Sequence, residues 1–363
     1  MVKTCDVGSI PFVGDFQLYL EGAFEYSQRV NEASLFFEEK AVEGFVDKAK
    51  AGIDVPSYPQ YRDMTSMFLD VIEGVGVSNG AYIETAPLTL KDQRGTIAEV
   101  SAIKNRSKQI YEKLGDAFQL RVCVTGPYTL SSLFSYKDKS TFTRLGKVLT
   151  EIVEANIFNI KEGRVQLVSI DEPAFGFIDE PLLDRGSEGR ENLLKAWETM
   201  ARKITEKGAE ACLHLHNTSD ELFWDVKAAK MIESHVNDPF YQAKRTKERL
   251  ESTDKFVKAS IATTDFDELI RNYIVKRSEN KPSEISLNER IADTWKQLNA
   301  KRIDPTTFVE DIEVMKDRLQ KIMTGLGENR VAYAGTECGL RSFPTHESAI
   351  ECLKRVVRAV RGG

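Results

Sequence analysis

The sequence predicts an α/β protein, a (β/α)8 TIM barrel with a helical insertion before the last strand. Three observations carry that reading. Short, near-continuously apolar runs alternate with long amphipathic stretches, the pattern of βα units whose parallel strands are covered on both faces. Seven such runs are clear and an eighth, around 80–86, is weaker. The chain has 363 residues, 41% of them hydrophobic, enough for a large core and within the size of one barrel domain. Residues 1–363 are therefore read as a single domain.

The elements follow in order. TCDVGSI (4–10) is a first strand ended by Pro11, and 29–50 has helical spacing. GAYIETA (80–86) is the weak strand candidate, and LRVCVTGP (120–127) is a buried strand closed by Gly-Pro. Residues 140–163 read as a helix with a Ser/Thr start and a Gly stop. VQLVSIDEP (165–173) is another buried strand, and 190–208 is a helix ended by Gly208. ACLHLH (211–216), AKMIES (229–234), FVKASIA (256–262) and RVAYAG (330–335) are further short runs, and 347–361 closes the chain as a helix. Residues 265–328 are charged and helical and fall between the presumed seventh and eighth strands. They read either as an inserted lid or docking surface or as one long connection packed on the barrel.

Composition narrows the function classes. Net charge is −6 with no Lys/Arg-rich patch, which argues against nucleic-acid binding. The longest apolar runs fall far short of a membrane span, and MVKTCDVGSIPF has no signal-peptide hydrophobic region. The five cysteines are odd in number and scattered, as expected of thiols in a reducing cytoplasm.

Active sites of such barrels gather at the C-terminal ends of the strands, so Ser9, Asp171, His216, Glu233 and Cys338 are the polar residues to weigh. Cys212, His214 and His216 share one strand face. Two of the chain's four histidines stand there together and are read as ligands, with Cys212 deeper in the core. Glu233 ends its strand, where a carboxylate is costly unless paired or bound to a cation. His235, two residues on, supports a neighbouring ligand or binds metal itself. Cys338 lies in a glycine-bounded turn ahead of the final helix, whose N-terminus would favour thiolate. His214, His216, Glu233 and Cys338 together make the expected zinc set, since zinc accepts imidazole, carboxylate and thiolate and a catalytic zinc keeps one position open. SIDEPAF (169–175) supplies the expected catalytic carboxylates, Asp171 and Glu172, which point to opposite sides if the strand continues.

These residues together resemble the catalytic domain of cobalamin-independent methionine synthase, in the superfamily that also holds uroporphyrinogen decarboxylase. The similarity spans nearly the whole chain through VGSIPF (7–12), YPQYRDMTSMFLD (58–70), VTGPYTL (124–130), SIDEPAF and ECGLRSFP (337–344). It implies a zinc-dependent methyl transfer to homocysteine. Asp171 would hold the substrate ammonium, Gly8 and Ser9 would contact the amino acid, and Glu233 and Cys338 would be zinc ligands. The family ligates zinc through His-x-Cys, whereas this chain has His214-Leu215-His216. In one register His216 replaces the thiolate. In the other, shifted by two, His216 is the family histidine, Thr218 stands in the cysteine's place, and zinc has three protein ligands or takes His235. Without an additional N-terminal barrel, the chain resembles the short archaeal-type form, which implies a methylated corrinoid protein as donor. Two other readings stay open: a methylcobamide:coenzyme M or other thiol methyltransferase, and a non-catalytic metal-binding barrel.

Overall fold

The structure, a computed structural model, describes residues 2–362 apart from 27, 93, 178, 179 and 281. Its strands are β1 (Lys3–Cys5), β2 (Ile72–Ser78), β3 (Ala81–Leu90), β4 (Phe118–Thr125), β5 (Asn159–Ile160), β6 (Gly163–Glu172), β7 (Glu210–Leu215), β8 (Met231–Glu233), β9 (Phe256–Ala262) and β10 (Val331–Thr336). The main sheet runs β1-β10-β9-β8-β7-β6-β4, with every one of these neighbours parallel. Helices lie between most successive strands of this sheet, as expected of a TIM-type barrel.

The strand that closes the ring is not the one expected from sequence. Residues 55–57 bridge β1 and β4 through the parallel pairs Cys5↔Val55 and Ser57↔Arg121. Val55 N–H donates to the Thr4 carbonyl at 3.0 Å, and Arg121 N–H donates to the Pro56 carbonyl at 2.9 Å. This segment is short and contains a proline, so it has no apolar run to betray it. Residues 81–86 of that stretch belong instead to β3, which pairs antiparallel with β2. Asn79 and Gly80, at φ of 51° and 79°, form the tight turn. An Asn-Gly pair between two strand-like runs is a hairpin signal, and it outranks the apolar character of 80–86.

Side chains alternate across the barrel wall. Cys5, Val55, Leu167, Cys212, Met231 and Tyr333 form a small apolar cluster of their own at the floor, separate from the large core between sheet and helices. Cys212 thus fills the interior, as its depth in the strand suggested. Above this floor, Asp171 pairs in register with His214, His214 with Glu233, and Glu233 with Lys258. Four neighbouring strands therefore bring polar residues to one level inside the barrel.

Glu172 leaves the wall on the other side. Its carboxylate accepts hydrogen bonds from Trp197 Nε1 at 2.7 Å, Tyr128 N at 3.0 Å and Thr129 N at 2.7 Å. It thereby joins the start of the helix Pro127–Ser131 to the helix Glu188–Glu206. A Cβ on Gly126 would lie 2.2 Å from Glu172 Oε1, so glycine is required for this approach. Burial pushes the Glu172 carboxyl up to about 7 against the pull of those three donors. The residue expected to share catalysis with Asp171 therefore holds helices to the sheet, out of reach of the barrel interior.

Between β9 and β10 run the helices Phe266–Arg277, Glu284–Asn299 and Ile312–Leu326. The last packs against β9, β10 and the C-terminal helix His346–Arg361, so it serves as the covering helix of a βα unit. The first two pack on each other through residues such as Phe266 and Trp295, whose rings are 5.5 Å apart. Among the described residues, no helix is long and apolar enough to cross a membrane.

The outward role of Glu172 is testable. Glu172→Ala strands three buried donors, and an unsatisfied buried donor costs roughly 1–3 kcal/mol. Urea unfolding should show a loss of at least about 3 kcal/mol, while zinc affinity of the folded protein stays within about threefold. A stable variant with lost zinc affinity would contradict this placement.

Candidate metal centre

At the C-terminal mouth, one ligand atom each from His214, His216, His235 and Cys338 lie within 4.8 Å of one another. Strand geometry explains the convergence. His214 and His216 are inward residues of β7 and the loop that follows it, His235 is two residues beyond inward Glu233 of β8, and Cys338 follows β10. The rings of His216 and His235 have centroids 3.9 Å apart, and Cys338 Sγ is 3.7 Å from His216 Nε2. Tetrahedral zinc with bonds of about 2.0–2.3 Å would need only modest tightening of this set.

The four are not equivalent. His214 has acceptors on both sides: Nδ1 is 3.3 Å from Asp171 Oδ1 and 3.5 Å from Glu233 Oε1, and Nε2 is 3.2 Å from the Glu337 carbonyl. His235 is the reverse case. Its Nδ1 faces Glu337 Oε2 at 3.8 Å, while its buried Nε2 has no hydrogen-bond partner among the described residues. A buried ring nitrogen with a free lone pair, backed by a carboxylate on its other nitrogen, is the arrangement of a metal-binding histidine. His216, His235 and Cys338, with His214 in the same cluster, therefore fit zinc; His214 is the one whose two ring nitrogens both already face oxygen atoms.

Glu233, expected as a ligand, is engaged elsewhere. Both its oxygens are 2.9 Å from the Arg121 guanidinium, and neither side chain is exposed. Lys258 Nζ lies 3.9 Å away as a second buried cation. Burial alone would raise the Glu233 carboxyl, but Arg121 and then Lys258 hold it well below the usual carboxylate range. Arg121 reaches across from β4, which explains how a carboxylate can sit in the barrel's interior.

Glu337 ties the mouth together. Its Oε1 accepts from Thr264 N and its Oε2 from Val236 N, both at 2.8 Å. One carboxylate thus links the loops after β8 and β9 to the loop that carries Cys338. The final helix begins only at His346, so Cys338 does not sit at a helix N-terminus as expected. Burial pushes its thiol up to about 12. Burial, with neighbouring imidazoles, lowers His216 to about 2 and His235 to about 4.

The expected substrate residues divide. Asp171 is buried beside His214, with Oδ1 toward the ring. The Gly8 N–H donates to Ser57 Oγ at 2.6 Å and the Gly8 carbonyl accepts from the buried Lys48, so this peptide is committed inward. Lys48 is itself paired with Asp6 at 2.8 Å. Ser9 is half-buried against the metal loop: its carbonyl accepts from Leu340 N at 2.7 Å, and a Cβ on Gly339 would lie 2.0 Å from Ser9 Oγ. The residues missed in the sequence are the cations. Arg121 in LRVCVTGP and Lys258 in FVKASIA stand in otherwise apolar strands, a signal that an anion must face them.

The expected barrel is also the fold of solved proteins. Over its full length the chain matches a B12-independent methionine synthase from Shewanella sp. W3-18-1 in complex with selenomethionine, with TM-score 0.60, 15% identity and coverage of 98% of that chain. It matches a methyltransferase from Methanosarcina mazei with TM-score 0.56 and 13% identity, over 99% of this chain and 94% of that one. At such identities the likeness is one of fold. No protein-family model matches the sequence, and no curated protein matches it.

The site's protonation makes a prediction. Both ligand histidines are already neutral at pH 7, whereas the Cys338 thiol still carries its proton. Zinc uptake should therefore release about one proton, and affinity should rise about tenfold per pH unit from pH 6 to 8. Titration calorimetry in buffers of different ionisation enthalpy reads this directly. Cys338→Ser should abolish most of the release; a release of two or more protons would place extra acidic ligands on the metal.

Proposed function

We propose that this protein is a zinc-dependent methyltransferase that moves a methyl group to a thiol, most simply homocysteine, with a methylated corrinoid protein as donor. The observation that carries this reading is the convergence of His216, His235 and Cys338 at the barrel mouth, with the His235 Nε2 lone pair unclaimed. Zinc bound there would supply the acidity that turns a thiol, with an ordinary pKa near 8.5, into a thiolate at neutral pH.

The chain's own residues do the rest. His216, His235 and Cys338 would hold the metal, whose open position would take substrate sulfur. Glu337 holds His235 and the Cys338 loop in place. Asp171 offers a buried carboxylate beside the site for the substrate ammonium, and Ser9 borders the metal loop. The substrate sulfur then attacks the donor's methyl carbon in line. A sulfur–carbon bond forms, the donor–carbon bond breaks, and the donor keeps the electron pair. Holding the two reactants in that line supplies much of the rate gain.

Asp171 favours an amino-acid thiol over coenzyme M, which has no ammonium group to pair with it. Zinc K-edge absorption on the purified protein, with and without homocysteine, tests the reading. A new zinc–sulfur bond on adding homocysteine, and none with coenzyme M, is the expected result. Bound zinc that acquires no sulfur from either thiol would overturn thiol activation and leave a metal-binding barrel without this chemistry.

A further inference from the structure

Glu233, the carboxylate expected on the metal, is firmly held elsewhere. Glu233 belongs to the level of Asp171 and Lys258, one step below His216 and His235. Its two oxygens meet two nitrogens of Arg121 at 2.9 Å each. This is the paired geometry in which a guanidinium binds a carboxylate most strongly and specifically. Arg121 is wholly buried, and among the described residues its Nε already lacks a partner. Moving Glu233 onto a metal would break at least one of these two bonds and share the buried guanidinium's counter-ion with a second cation, at a cost in the barrel interior. Cys5 and Cys212 flank the pair at 3.8 Å, and neither carries the charge to replace Glu233.

We propose that Arg121 is a positioning residue of the metal centre: by clamping both oxygens of Glu233 it keeps that carboxylate off the metal, and His235, two residues further along the same strand end, takes the ligand position. The inference rests on the zinc reading above and deepens it. The exchange has a chemical consequence. Two neutral imidazoles and one thiolate would leave one positive charge on a divalent metal uncompensated, which a substrate thiolate would neutralise. A bound Glu233 would cancel that charge before substrate arrives and weaken the pull on the substrate thiol.

Cobalt(II) titration of the metal-depleted full-length protein tests this, since the visible spectrum of cobalt reports ligand type and number. Glu233→Gln should bind cobalt within about threefold of the wild-type affinity and with the same spectrum. His235→Ala should lose at least about a hundredfold in affinity, as expected when a ligand rather than a neighbour is removed. Arg121→Met frees Glu233 and should shift the cobalt bands as an oxygen ligand joins. The paired variant Arg121→Met with Glu233→Met removes clamp and carboxylate together, suits the barrel interior, and should restore the wild-type spectrum. It keeps the test decisive if a single variant does not fold. Loss of affinity in Glu233→Gln as large as in His235→Ala, or an altered spectrum in the paired variant, would overturn the clamp while leaving a metal site. A wild-type protein that takes up neither cobalt nor zinc would overturn the zinc reading itself, and the clamp with it.

Discussion

The buried ion pair between Arg121 and Glu233 is the constraint around which the barrel interior is arranged. A parallel barrel fills its centre with side chains from every strand, and a charge placed there must meet its opposite or forfeit solvation. Here Arg121 from β4 crosses to Glu233 of β8, with Lys258 of β9 alongside, and Lys48 meets Asp6 near the closing segment. The polar level these residues form separates an apolar floor from a mouth lined by imidazole and thiol. His214 lies in that level, with Nδ1 beside Asp171 and Glu233 and Nε2 beside the Glu337 carbonyl, while His216, His235 and Cys338 stand one step nearer the opening.

That arrangement gives the mouth a definite chemistry. Burial first, and then the neighbouring His214, disfavour a proton on His216 and His235. Cys338 is a protonated thiol until a cation replaces the proton. Glu337 satisfies two backbone donors and faces His235 at once, so the loops after β8, β9 and β10 are tied to one another. Such preorganisation is what a catalytic site needs from its surroundings.

Much of this was legible in the sequence. The parallel barrel followed from apolar runs separated by helical stretches, and the two histidines of ACLHLH shared a face because strands alternate. Cys338 was placed at the mouth by its position after the last strand. What stayed hidden has physical reasons. Residues 55–57 close the ring with three residues and a proline, too little for any periodicity. The hairpin at Asn79-Gly80 mimicked a barrel strand because its apolar residues pack on neighbouring loops, Tyr82 near Phe134 among them. Whether Glu233 or His235 faces a metal depends on Arg121, which lies 112 positions away in the chain. A partner at that distance is settled only by the fold, although an arginine inside an apolar strand announces that some buried anion awaits it. Likewise Asp171 and Glu172 are adjacent in sequence and opposite in role, one inside the barrel and one against Trp197.

The central claim is the height of the metal seat. A crystal structure of the zinc-loaded protein, with the zinc located by its anomalous scattering at the absorption edge, measures it directly. The account predicts one peak bonded to His216, His235 and Cys338, with Glu233 still paired to Arg121. A peak one level deeper, bonded to His214 and Glu233 with the Arg121 pair broken, would contradict it.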